Sequence, residues 1–402
     1  MSEDKSKEET KLTEEKEIYA IATDPIYIGT GGYTIGRVDN TIVRDPITRI
    51  PKIPGSSVAG TWRYYVTLEL ISKVKDFQPK FDEIKNSNEK SLDEKIKSWC
   101  KSNKNKWEDK IDKEIKELCK ETSQDEKECK KSYNWLKYHG NAIAKITCAG
   151  QDNVSGANID SPDQTNNDGK TGHCGHCIVC KAFGYSKKDQ SWQGMLLFSD
   201  LQILLFPVFT RFGVKWITSK HLLEEAKIIK DPQQNDNSSE KSKDTVIVQK
   251  SFKEGETKGY INLGWLNLPY KIDDEINIDS SALKKVFPFS PDDIVIVPEP
   301  LLSQIINSNL EVRTSVSIDP ITGAAKEKAL FTSEAIPRGT VFYGIVRAFD
   351  KKAFSGNDNL PNVKDIWAAL EDSKKYYETL GIGGMTTRGF GRLKISLVSK
   401  GG

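Results

Sequence analysis

The chain has 402 residues, 37% hydrophobic and 29% charged, with a formal net charge of +2. That composition is enough for a substantial core under a highly charged surface, and no apolar run approaches membrane-spanning length. The near-neutral balance argues at first against a polyanion partner, although acidic segments can hide a basic groove. The charged start MSEDKSKEET does not suit a signal peptide, so the expectation is a soluble, cytoplasmic protein with no membrane partner.

Residues 1–17 mix Glu, Asp and Lys without apolar periodicity and read as a disordered charged tail. From Glu17 to Ile28 the pattern alternates as a first strand does, and the Gly-rich turn GTGGYTIG follows. A Pro-marked extended stretch then leads to a helix expected near Ser56 or Ser57. Ser57 is its expected N-cap, with Val58, Trp62, Tyr65 and Leu68 or Glu69 at helical spacing. Residues 73–138 are dense in Lys and Glu. Their sparse apolar positions, among them Ile96, Trp99, Trp107, Ile111, Ile115 and Leu118, predict a solvated helical insertion packed along one stripe.

A loop over 148–190 carries CGHCIVC and runs into the strongly apolar LLFSDLQILLFPV. Residues 231–260 read as a variable insertion that opens with the polar DPQQNDNSSEKSK. Residues 311–340 read as strand, turn, strand and loop. A helix ending at Gly381, the Gly-rich GIGGMTTRGFGRL and a closing strand complete the chain. Strands and helices alternate without a regular βαβ beat, which suits an α+β fold with an antiparallel sheet.

Seven cysteines with no secretory signal favour a metal site over a disulfide framework. Cys174, Cys177 and Cys180 can converge on one tetrahedral zinc ion, with His173, His176 or Cys148 as the fourth ligand; His173 is the one favoured here. Sulfur-rich coordination without a nearby carboxylate base points to a structural zinc. Cys100, Cys119 and Cys129 lack metal-ligand spacing. The last Gly-rich loop follows a helix and precedes a strand, the reverse of a dinucleotide fingerprint. Its Gly383, Gly384 and Gly389 with Arg388 and Arg392 would suit close approach to a sugar-phosphate chain. Only His139 and His221 lie outside the cysteine cluster, which leaves little for histidine-based acid–base chemistry.

In this order, YIGTGGYTIGRVDNTIVRDPITRIPKIPGSSVAGTWR, CIVCKAFG, GMLLFSDLQILLFPV, SIDPITGAAKEKALFTSEAIPRGTVFYG and GIGGMTTRGFGRL resemble RAMP proteins of CRISPR systems. More narrowly, the chain looks like the repeated backbone subunit of the type III-B, or Cmr, RNA-guided effector complex. The neighbouring type III-A backbone subunit is the nearest alternative. The resemblance implies a single RAMP domain over 18–402. Its fold would be an RRM-like, ferredoxin-like palm with a β-hairpin thumb, a helical insertion and a zinc-stapled loop. Copies would stack along a guide CRISPR RNA beside other subunits of the complex, and would engage single-stranded target RNA. Gly31, Gly32, Arg44, Lys52, Ser56, Ser57 and Arg63 would join the C-terminal loop residues in binding RNA.

The resemblance also makes Asp39, in GRVDN, the catalytic candidate for target cleavage. A divalent cation, magnesium or manganese, would assist it, with Asp45 and Glu334 as possible helpers. Two departures stand out: Ala59 replaces the usual lysine of the helix start, and Asn40-Thr41 replaces a proline-containing pair. The alternatives are a scaffold without cleavage of its own and a stand-alone zinc hydrolase.

Overall fold

The computed structural model describes residues 12–31, 38–74, 95, 98–99, 101–121, 125–150, 172–187, 190–229, 245–248, 258–272, 290, 293–355 and 359–399. The chain divides into two compact units. The first comprises Met1–Lys16, Ala59–Phe198 and Val346–Lys374; the second comprises Glu17–Val58, Ser199–Ile345 and Lys375–Gly402.

The strands, in chain order, are β1 (Thr13–Ala22), β2 (Lys52–Ile53), β3 (Tyr185–Lys187), β4 (Gln190–Trp192), β5 (Leu196–Phe198), β6 (Leu201–Thr210) and β7 (Gly213–Thr218). They continue with β8 (Val246–Val248), β9 (Lys258–Leu263), β10 (Leu266–Ile272), β11 (Ile294–Ile296), β12 (Glu311–Ile318), β13 (Ala325–Ala335), β14 (Val341–Phe349) and β15 (Leu393–Ser399). Sheet order runs β15-β1-β14-β6-β7-β11-β8-β10-β9, with β2 beside β6. β6 pairs antiparallel with both β14 and β7, whereas β11 runs parallel to β7 and β10 parallel to β8. The sheet is therefore mixed, where an antiparallel one was expected. Of these parallel pairs, β10 with β8 draws β8 from the region read as variable insertion, whereas β11 with β7 lies outside it. The β-branched run Val246-Ile247-Val248 forms a strand between β11 and β10, with Val246 and Val248 buried.

The second unit is cored by Tyr19, Ile21, Leu204, Leu205, Leu223, Ile294, Ile296 and Val341. β1 starts at Thr13, so Thr13–Glu17, read as part of a disordered tail over 1–17, lies in a strand, while residues 1–11 are outside the described residues. β12 and β13 form a separate antiparallel hairpin, within the stretch where one was expected. Its turn is set by Asp319, whose Oδ1 accepts from the N–H groups of Ile321 and Thr322 while Gly323 takes φ +67°.

The first long helix spans Gly55–Val74, beginning just before the two expected serines. Ser57 is therefore not its N-cap. Asp200 supplies a substitute from a distant segment, its Oδ1 accepting from Gly55 N–H at 2.8 Å. Val58, Trp62, Tyr65, Val66, Glu69 and Leu70 form the buried stripe. Glu69 is tolerated there because Lys73, one turn on, pairs with it at 2.9 Å.

In the first unit, helices Lys104–Glu121 and Glu126–Ser132 bury Trp107, Ile111 and Ile115 as the stripe predicts. Cys119 and Cys129 join them by a disulfide, a pairing the spacing did not suggest. Ile96 and Cys100 lie outside the described residues, as does Gly32. Gly381, at φ +79°, terminates the helix Lys375–Thr379: its N–H donates to Tyr376 O.

Candidate functional site

Asp39 lies on a strap, residues 38–44, that runs along the edge of β13. Asn40 bridges Ser333 in parallel fashion, Asn40 N–H donates to Thr332 O at 3.0 Å, and Glu334 N–H donates to Asn40 O at 3.0 Å. The Asn40 side chain adds a bond to Ser333 Oγ at 3.2 Å, which ties the strap down. Asp39 itself is exposed, yet its Oδ2 accepts from Thr332 N–H at 2.8 Å and Thr332 Oγ1 at 3.0 Å. The Thr332 backbone bond, then its hydroxyl, hold the Asp39 carboxyl below its ordinary pKa. The site therefore presents a fixed carboxylate that stays ionised at neutral pH.

The two expected helpers serve elsewhere. Asp45 caps its own turn through Ile47 N–H and Thr48 N–H, both at 3.0 Å, and pairs with Lys52 at 3.3 Å. Glu334, 12% exposed at its side chain, takes Arg44 at 2.6 Å. The expected RNA-binding cations are also engaged within the protein. Arg44 donates to Glu334 and Asn307, Lys52 pairs with Asp45 and Asp200, and Arg392 pairs with Asp24. Ser56 is exposed and Ser57 half-buried, both in the first turn of their helix, and Gly31 is exposed at φ +77°.

Arg388 is different: it is exposed and sits in a short turn, Thr386–Arg388, flanked by Met385 at φ +59° and Gly389 at φ +80°. The hairpin holds that turn. Arg313 Nη1 donates to Gly389 O at 3.3 Å, its guanidinium stacks 4.6 Å from the Phe390 ring, and Ser333 Oγ touches Met385 Sδ at 3.9 Å. Gly383 allows a second close approach, since a Cβ there would come 2.2 Å from Tyr27 O; Gly384 N–H donates to that same oxygen at 3.0 Å. Between the hairpin and the turn opens a cleft of about 450 Å³ lined by Ser315, Val316, Ser317, Phe331 and Arg388. Sequence reading missed Phe331, because nothing in ALFTSEA marks it as different from a core aromatic.

In the first unit, the sulfurs of Cys148, Cys174, Cys177 and Cys180 all lie within 4.8 Å of one another and are buried. This buried cluster could hold a metal ion, and Cys148 supplies the fourth position that was expected of His173. His173 instead lies beside the cluster, with Nδ1 4.0 Å from Cys180 Sγ and 3.0 Å from an Arg63 Nη2. Arg63 also donates to Cys148 O at 2.8 Å, so it braces the cysteine cluster. The chemistry of the donor set fits zinc. Backbone N–H groups of Cys177, Cys174 and Cys180 point at Cys174, Cys148 and Cys177 sulfurs at 3.3, 3.4 and 3.5 Å, the arrangement that stabilises thiolates. Hydrogen bonds from the three neighbouring thiols push the Cys148 thiol well below its ordinary pKa.

A family model described as the RAMP superfamily matches residues 20–394. Two curated proteins, both named CRISPR system Cms endoribonuclease Csm3, match short stretches. The one from Methanothermobacter thermautotrophicus is 58% identical over 36 residues, 9% of this chain and 15% of the relative. The one from Enterococcus italicus is 52% identical over 40 residues, 10% of this chain and 19% of the relative. The aligned stretches thus span less than a fifth of either relative. Among solved structures, type III-B Cmr-beta in its apo state is 11% identical, covering 96% of this chain and 97% of that one, at a TM-score of 0.49. Oligomeric Cmr4 from Pyrococcus furiosus is 16% identical, covering 97% and 99%, at 0.44.

Proposed function

The chain belongs to the RAMP superfamily, and from that premise we propose that it is a backbone subunit of a type III-B RNA-guided effector complex, binding guide RNA and cutting complementary target RNA at Asp39. The strand–helix–strand–strand–helix–strand order of β1, Gly55–Val74, β6, β14, the helices of 363–379 and β15, with sheet order β15-β1-β14-β6, supports a ferredoxin-like palm. The β12–β13 hairpin is its thumb. Copies of the chain would follow one another along the guide, which supplies sequence specificity by pairing.

The observation that carries the nuclease reading is the fixing of Asp39 against the thumb through Thr332. With its pKa depressed, the carboxylate is a weak proton acceptor and acts by charge and position. The target's own 2′-hydroxyl would lose its proton to solvent and bond to phosphorus as the P–O5′ bond breaks, the leaving 5′-oxygen taking a proton from solvent, in a backbone held in line beside Asp39. A divalent cation shared by Asp39 and target phosphates would supply neutralisation of the developing charge. Zinc belongs to a separate role: four buried thiolates leave no open position for water, which supports a structural ion and disfavours a stand-alone zinc hydrolase.

The test is cleavage of a guide-complementary RNA by the assembled complex, wild type against Asp39→Ala, with target binding followed in the same samples. The expected outcome is loss of regularly spaced cuts with binding retained. Unchanged cuts would reduce the chain to a scaffold. One observation favours that second reading: Asp45 and Glu334 are both engaged by neighbours, leaving Asp39 to act without a second carboxylate from either.

A further inference from the structure

Asp39 uses its carboxylate oxygens unequally. Oδ2 accepts both bonds from Thr332, whereas Oδ1 takes none among the described residues. The edge of β13 explains why. Asn40 lies beside Ser333 as a parallel partner, its N–H on Thr332 O and its carbonyl on Glu334 N–H. A regular parallel ladder continued one rung back would send the Thr332 N–H to the carbonyl of Val38. The Asp39 carboxylate takes that rung instead, so the strand itself aims the side chain. The Thr332 hydroxyl closes the arrangement: its Oγ1 accepts from Asp39 N–H at 3.1 Å and donates to Oδ2 at 3.0 Å. With the amide on one lone pair of that hydroxyl, its proton is directed at the carboxylate.

A carboxylate gripped through one oxygen by two donors neither swings away nor turns over, and its other oxygen stays on the exposed side. We propose that Thr332 is a positioning residue for target cleavage: it commits Oδ2 to the hairpin and leaves Oδ1 as the one oxygen of Asp39 that faces the reacting backbone. This rests on the nuclease reading given above, and Thr332 itself touches none of the reacting atoms. The hairpin thereby gains a second task. Thr332 belongs to β13, so a hairpin drawn away from the strap takes the aim of Asp39 with it. The carboxylate is correctly presented only while the hairpin is seated, which ties the chemistry to the element that engages the target. A loss of this aim by even an ångström is enough to slow an in-line displacement severely.

The test compares single-turnover cutting and target affinity in the assembled complex. Thr332→Val keeps the β-branched shape and the backbone N–H, so the strap's backbone bonds survive and only the hydroxyl is lost. At saturating complex its cutting rate should fall about tenfold or more, while its affinity for target stays at the wild-type value. Thr332→Ser restores the hydroxyl and should recover the rate. The proposal is overturned if Thr332→Val cuts as fast as wild type, or if Thr332→Ser cuts as slowly as the valine variant. It is equally overturned if the valine variant loses assembly or target binding in step with cutting, which marks a purely structural role. Wild-type cutting that Asp39→Ala abolishes is the control. Cuts that survive Asp39→Ala sink the nuclease reading itself, whereas their loss beside normal cutting by Thr332→Val sinks only the role given to Thr332.

Discussion

Asp39 and Asp45 are six residues apart and both have depressed carboxyl pKa values, yet only one is available for chemistry. Asp39 accepts two bonds from Thr332 through Oδ2 and is otherwise open to solvent. Asp45 is surrounded by the N–H groups of Thr48 and Ile47 and by Lys52; Thr48 first and Ile47 second bring its carboxyl to about 2. Because the folded value lies below the ordinary 3.8, the folded state binds fewer protons. The stabilisation is then complete above the ordinary value and disappears as pH falls towards about 2. Asp45→Asn should flatten the stability–pH curve in that acid window and leave target cutting at neutral pH unchanged, as followed by urea unfolding at a series of pH values. If the acid slope persists in the variant, the turn cap is not its source. Sequence alone put Asp39 on the page through the resemblance of GRVDN. It could not separate Asp39 from Glu334, because their bonds to Thr332 and Arg44 join chain segments that only folding brings near, whereas the Asp45 cap is local to its own turn.

At the scale of elements, local patterns were legible and distant partnerships were not. The stripe Val58, Trp62 and Tyr65 gave the helix, and the strand, turn, strand pattern within 311–340 gave the hairpin. The helix start was read too late because its cap comes from Asp200, far along the chain. Strand β8 was missed because three residues amid polar sequence become a strand only when β10 and β11 flank them. The fourth cysteine follows the same logic. Cys148 lies 26 residues before Cys174, and its sulfur joins the others only after a loop closes. With zinc bound, replacing one of the four cysteines would remove a bond to the metal, while His173, beside the cluster, would contribute none in this geometry. Cys148→Ser should therefore purify with markedly less than one zinc per chain and unfold at a lower temperature. His173→Ala should keep its full metal content, as read by elemental analysis. Equal zinc loss in both variants would restore histidine to the ligand set.

At the scale of the whole molecule, a formal charge of +2 must be reconciled with the RNA partner proposed above. Many of the cations expected to face RNA are neutralised internally: Arg44 by Glu334, Lys52 by Asp45 and Asp200, Arg392 by Asp24. These residues give shape to the strap, the helix start and the C-terminal loop, and a cation already paired with a carboxylate releases little counterion when RNA arrives. Exposed Arg388 is the contrasting case. Counterion release from single strands contributes a slope of roughly −0.7 per neutralised phosphate in log K against log salt. Arg388→Ala should accordingly make the salt dependence of target binding by the assembled complex shallower by about 0.7. Arg44→Ala should leave that slope unchanged while lowering thermal stability, because it strands the half-buried Glu334 carboxylate. Titrations at four or five salt concentrations distinguish the two. A slope that changes with Arg44 and not with Arg388 would place the phosphate contacts on the strap, and the groove would have to be redrawn around residues 38–44.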